Sequence, residues 1–202
     1  MILKKGMNIL FEGDSITDAC RDRADKHSLA GYTAYVAEAL VEEGVECFNR
    51  GVSGNRSCDL LARFEESIRE VRPDLVSILI GINDVWRRFD ENNPTSPEEF
   101  ERNVRAILEI AKKHAGQIVI LEPFLFPVAP EKECFREDLD PKIAKLRKLA
   151  REYATDYIPL DGLFAEAYLH VAPQSFSTDG VHPIENGHRF IADEWLARAD
   201  FE

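Results

Sequence analysis

Cysteine is scarce: four in 202 residues, at positions 20, 47, 58 and 134, with no CxxC pair among them. That pattern offers neither a disulfide framework nor a thiolate metal site. In a reducing compartment the four read as free thiols, most simply as buried small hydrophobes. Long apolar runs are missing as well. None nears the roughly 20 residues of a membrane span. The opening Met1–Phe11, broken by Lys4, Lys5 and Asn8, is too short and too polar for a signal peptide, so the expected setting is the cytoplasm. Basic residues are outnumbered, with 25 Lys and Arg against 37 Asp and Glu, a formal net charge of −12. Such a surface repels phosphate backbones and anionic lipid heads. It argues against nucleic-acid and membrane partners, and for a small molecule. P-loop, Rossmann and HExxH patterns are absent, and so is the G-x-S-x-G elbow.

What is present is an ordinary globular composition, 45% apolar and 31% charged. The length suits one α/β domain, residues 1–202. Short apolar runs alternate with longer amphipathic ones. Met7–Phe11, Val45–Phe48, Leu75–Ile80, Ile118–Leu121 and Tyr157–Leu160 read as strands. Helices are expected over Gly31–Glu43, Cys58–Val71, from Ser96-Pro97 onward, from Asp140-Pro141 to Tyr153, over Gly162–His170 and over Ile184–Arg198. Ser96, Pro97 and Glu99 together form a capping-box start. Two charged or polar segments, Ala19–Ser28 and Arg87–Ser96, read as loops. Strand–helix alternation implies a parallel sheet with helices on both faces. In such sheets ligands bind beyond the carboxyl ends of the strands, so the residues after each apolar run carry the functional question.

The first run ends in Gly13-Asp14-Ser15, where Gly13 permits a sharp turn and Ser15 would open a helical turn among free backbone N–H groups. The second ends in Gly51-Val52-Ser53-Gly54, two glycines that let backbone approach a ligand. The third ends in Gly81-Ile82-Asn83-Asp84, where the Asn83 amide can face developing negative charge. Near the C-terminus, Asp179 and His182 lie three apart in Asp179-Gly180-Val181-His182-Pro183. In a tight turn that spacing brings a carboxylate to one imidazole nitrogen and leaves the other free to take a proton. Each feature alone has a plain structural reading as turn, cap or loop. Together they supply a nucleophile, a base, its orienting acid and oxyanion donors, the parts of an acyl hydrolase.

These four ordered blocks, spanning nearly the whole chain, resemble those of the SGNH hydrolase family, the GDSL-type esterases, with Ile16 where the family name has leucine. The resemblance implies a three-layer α/β/α sandwich on a five-stranded parallel sheet of flavodoxin-like order. Carried over by position, it makes Ser15 the nucleophile, His182 the base and Asp179 its partner. The oxyanion hole would combine Ser15, Gly54 and Asn83, with Gly51 the rival to Gly54. The chemistry follows the serine triad and calls for no metal or cofactor.

Within the family the chain looks like bacterial carbohydrate acetylesterases, some of which act on acetylated xylo-oligosaccharides. Trp86, after the third block, could stack on a sugar ring, and Asp14 could contact substrate. A long acyl chain would need an apolar groove. Phe124, Leu125, Phe126 and Val128 could line one, but packing is the favoured reading, and a subunit contact the other. Lysophospholipase or thioesterase activity is the nearest alternative. A non-catalytic carbohydrate-binding protein on the same fold is the alternative of another class. His188, on the last helix near His182, could stand behind the site, but capping or solvent exposure is the favoured reading.

Overall fold

Alternate residues of the first apolar run point to opposite faces of a strand, and both faces of this one are apolar. In the computed structural model, which describes residues 1–202, that run becomes strand β2 (Asn8–Gly13). It pairs in parallel with β3 (Glu46–Asn49) on one side and β4 (Leu75–Leu79) on the other. Beyond β4 lie β5 (Gln117–Leu121) and β6 (Asp156–Ile158). The order β3-β2-β4-β5-β6, all parallel, is the flavodoxin-like arrangement. A further pair, β1 (Ile2–Leu3) with β7 (Asp200–Phe201), ties the two ends of the chain together. Two-residue strands leave no periodicity to read, and the sequence reading has neither.

Ile9 and Phe11 face a layer formed by α2 (Tyr32–Leu40), α7 (Leu160–Ala167) and α8 (Glu185–Leu196), with Trp195 fully buried against Phe11. Leu10, Val76, Ile78 and Ile120 face the opposite layer of α3 (Ser57–Val71), α5 (Pro97–His114) and α6 (Arg136–Tyr153). Ser96 Oγ accepts the Glu99 N–H at 3.1 Å with Pro97 at the first helical position, the start that the sequence dictates.

Three expectations need correction. The segment after β4 is not loop from Arg87: helix α4 (Ile82–Asp90) runs through it, and only the residues after Asp90 are irregular. Helix α6 begins at Arg136 and carries Pro141 inside it, because a short 3₁₀ turn, Pro130–Phe135, feeds straight into it. Of the cysteines only Cys47 is buried. Cys20 and Cys134 are exposed and Cys58 half-buried, so packing does not account for them all. Phe124, Leu125 and Phe126 are core residues, clustered with Phe164.

Candidate active site

Four segments meet at the carboxyl edge of the sheet. After β2 the chain turns into α1 (Ser15–Asp18), whose first N–H groups have no intrahelical acceptor. Asp14 Oδ1 takes one of them, the Ile16 N–H, at 3.0 Å. Asp14 is only 1% exposed. Its carboxyl is therefore a helix cap beneath the site and is closed to substrate, which corrects the contact expected of it. Burial pushes its pKa up to about 7, helped by the nearby Asp84 carboxylate, against the Ile16 hydrogen bond.

Ser15 stands half-buried at the edge, and its Oγ lies 2.9 Å from His182 Nε2. His182 Nδ1 lies 2.7 Å from Asp179 Oδ2. The other carboxylate oxygen of Asp179 accepts the backbone N–H groups of Val181 and His182, each at 2.8 Å. Burial raises the Asp179 pKa. The His182 ring and the two N–H donors more than offset it and hold the carboxyl at about 2. The turn is closed by an antiparallel bridge between Ser177 and Pro183 and by the Ser177 hydroxyl, which receives the Gly180 N–H. It is anchored from outside by Phe126 N–H to Gly180 O at 2.9 Å. Lys132 Nζ also donates to Asp179 O, at 2.5 Å.

The β3 loop separates its two glycines by role. A Cβ on Gly51 would meet Asp18 N at 2.4 Å and Thr17 C at 2.8 Å, so backbone packs against backbone there. The Gly51 N–H is donated to Asn49 Oδ1 at 2.9 Å. Gly54 is exposed, with a φ of +85° and open space around it. Only Gly54 therefore presents a free backbone edge. Ser53 beside it is fixed by Asp18, which accepts both its N–H (3.2 Å) and its hydroxyl (2.5 Å). Arg63 holds the far side, donating to Asn55 Oδ1 (2.7 Å), Glu12 Oε2 (2.6 Å) and Gly13 O (3.1 Å). Asn83, at the start of α4 and 3% exposed, donates one amide hydrogen to Asn55 O at 3.1 Å and keeps a second.

Trp86 is half-buried one turn along α4, its ring centroid 5.9 Å from that of His182. Lys132 Nζ sits 4.3 Å above the Trp86 ring and Phe135 lies 6.0 Å away, so part of the surface expected to stack on a sugar is covered. The cleft beside Ser15 has a volume of about 520 Å³ and includes Ile16, Cys20, Ser53, His182 and His188 in its wall. Sequence alone does not mark Lys132, Arg63 and Asp18 as site residues, since their contacts with Asp179, Glu12 and Ser53 are distant in the chain. His188, weighed from sequence for its nearness to His182, lines the cleft.

A hydroxyl, an imidazole and a carboxylate in one hydrogen-bonded line, beside unpaired N–H donors, can deliver an alkoxide to a carbonyl and stabilise the resulting oxyanion. A parallel α/β sheet with this arrangement at its carboxyl edge defines a carboxylic ester hydrolase. The GDSL-like lipase/acylhydrolase family model matches residues 11–190, and the chain belongs to that family. It is 33% identical over 215 aligned residues to an acetylxylan esterase of Geobacillus stearothermophilus, covering all of this chain and 98% of that one. A solved structure of a catalytic mutant of an acetylxylan esterase from the same organism superposes with a TM-score of 0.90 at 32% identity, covering 100% and 98% of the two chains. The thioesterase 1/protease 1/lysophospholipase L1 of Escherichia coli K12 is 30% identical over 190 residues, 94% of this chain and 81% of that one.

Proposed function

We propose that the protein removes acetyl groups from carbohydrates, such as acetylated xylo-oligosaccharides, through an acyl-serine intermediate formed by one 202-residue domain. The observation that carries the reading is the Ser15–His182–Asp179 line, at 2.9 and 2.7 Å. His182 Nε2 takes the Ser15 proton as Oγ attacks the ester carbonyl carbon. Asp179 holds the ring with Nδ1 protonated and stabilises the imidazolium. The oxyanion is received by the N–H groups of Ser15 and Gly54 and by the free amide hydrogen of Asn83. Collapse expels the alcohol, which takes the proton from His182. Water then repeats the sequence on the acyl-serine.

Burial of Phe124–Phe126 supports a short acyl group, since the segment that could have lined a long-chain groove is packed inside. The acetylxylan esterase relatives favour a sugar alcohol. Trp86 would then meet the sugar with the part of its ring that Lys132 leaves open. Four unpaired cysteines and a charge of −12 fit a reducing cytoplasm and a neutral, freely diffusing ester.

The test is an acyl series from acetyl to decanoyl beside acetylated xylo-oligosaccharides, with Ser15→Ala as the blank. Acetyl preference, sugar deacetylation and a dead Ser15→Ala variant are expected. An optimum at long chains would replace the reading with a lysophospholipase or thioesterase.

A further inference from the structure

His188 is a residue that the mechanism above does not use, yet it lines the same cleft as Ser15 and His182. Its ring is locked by three features of α2. Its Nδ1 accepts the Tyr32 backbone N–H at 3.2 Å, one of the donors that a helix N-terminus leaves without an intrahelical partner. The ring edge fills the place that a side chain on Gly31 would take: a Cβ there would come within 2.6 Å of His188 Cε1 and 2.7 Å of Nδ1. The positive end of the α2 dipole, pointing at the ring, disfavours the imidazolium.

An imidazole that accepts at Nδ1 carries its proton on Nε2. Nε2 makes no hydrogen bond within the chain. Burial, and then the charge of His182, lower the His188 pKa to about 4, so the ring is a neutral donor at ordinary pH. A neutral ring also spares the His182 imidazolium a like charge beside it. The leaving alcohol must lie against His182 to take its proton, and Pro183 and His188 line the same cleft as His182.

We infer that His188 binds substrate, donating a hydrogen bond from Nε2 to a hydroxyl oxygen of the alcohol, away from the ester linkage, and so favouring hydroxylated alcohols over bare ones. This rests on the reading of the cleft as the ester site. It does not require the alcohol to be a sugar.

The experiment compares wild type with His188→Asn and His188→Gln on acetylated xylobiose, glycerol monoacetate and p-nitrophenyl acetate. Asparagine can still accept the Tyr32 N–H but cannot reach the Nε2 position, whereas the glutamine amide can. For His188→Asn we expect kcat/KM to fall about tenfold on the two hydroxylated esters, one hydrogen bond's worth, mainly through KM. On p-nitrophenyl acetate it should stay within about twofold. His188→Gln should recover most of the loss. Equal losses on all three esters, or none on the hydroxylated pair, would overturn the inference. If wild type ignores acetylated xylobiose, the sugar reading fails, and glycerol monoacetate against p-nitrophenyl acetate still decides His188. Should His188→Asn not fold, nitrogen-15 spectra of wild type decide instead: an Nδ1–H tautomer, or Nε2 shifts unmoved by xylobiose, rejects the contact.

Discussion

In the proposed reaction the Asn83 amide serves two ends. One hydrogen fastens it to Asn55 O at 3.1 Å, which fixes the side chain, and the other meets charge that exists only in the transition state. A donor held in advance needs no reorganisation when the charge appears, and removing one such donor costs about 10²–10³ in kcat. Asn83→Ala should show a loss of that size on p-nitrophenyl acetate with KM little changed. A tenfold-or-smaller loss would make Asn83 a strut for Asn55 and nothing more. At this scale sequence marks Ser15, Asn83, Asp179 and His182 because glycine and proline flag the turns that hold them, and the fold brings Ser15, His182 and Asp179 into one hydrogen-bonded line. For Asp14, sequence shows its place beside Ser15 but not that the turn directs its carboxyl at the Ile16 N–H. Lys132 lies 47 residues from Asp179, and Arg63 lies 51 from Glu12, so neither contact leaves a local trace.

The elements follow from apolar pattern wherever burial alone shapes them. β4 reads as a strand because helices cover both its faces, and its five residues are all buried. Sequence alone does not mark α4, whose site-facing end is its N-terminus. It opens at Gly81 with no side-chain cap, presents Asn83 to the site, and continues through Arg87, Arg88 and Asp90, which sequence alone assigns to loop. The two glycines of the β3 loop test the same point, since identical residue types do different work there. Gly51→Ala drives a methyl into the Asp18 and Thr17 backbone, which cannot step aside as a side-chain end can. It should lower stability by about 1–3 kcal/mol, the usual range for overpacking. Gly54→Ala meets open space and carries only the strain of a positive φ, about 1–2 kcal/mol. Urea unfolding of the two variants beside wild type checks the order. A Gly54→Ala protein less stable than Gly51→Ala would reverse the roles given to the two positions.

On the scale of the whole molecule, Ser15 and His182 are 167 residues apart and meet only when the full sheet has formed, so activity and global fold should be lost together. The same convergence buries acids under the site, and their titration acts on the entire fold. Asp14 is the clearest case. Its pKa is about 7 folded against an ordinary value of 3.8, so the folded state holds this proton more tightly than the unfolded one. The stability gained by keeping it protonated is complete below about pH 3.8 and is lost as the pH rises through about 7. Asp179 acts in the opposite sense. Its carboxyl is held at about 2, and its contribution fades only as the pH falls toward that value, outside a test run between pH 5 and 8. Asp84, raised to about 6 by burial, titrates within that window too and is coupled to Asp14 through their like charges. The difference between wild type and Asp14→Asn therefore reports Asp14 together with its coupling to Asp84. Asparagine keeps an oxygen for the Ile16 N–H and has no proton to lose. Wild-type Tm should fall from pH 5 to pH 8 by roughly 3 °C or more beyond any fall in Asp14→Asn, since about 1 kcal/mol moves Tm by about 2–4 °C at this chain length. Asp14→Asn should be the more stable protein at pH 8. Parallel Tm curves across that range would mean that Asp14 is already ionised in the fold, with its charge met by the N–H groups at the start of α1.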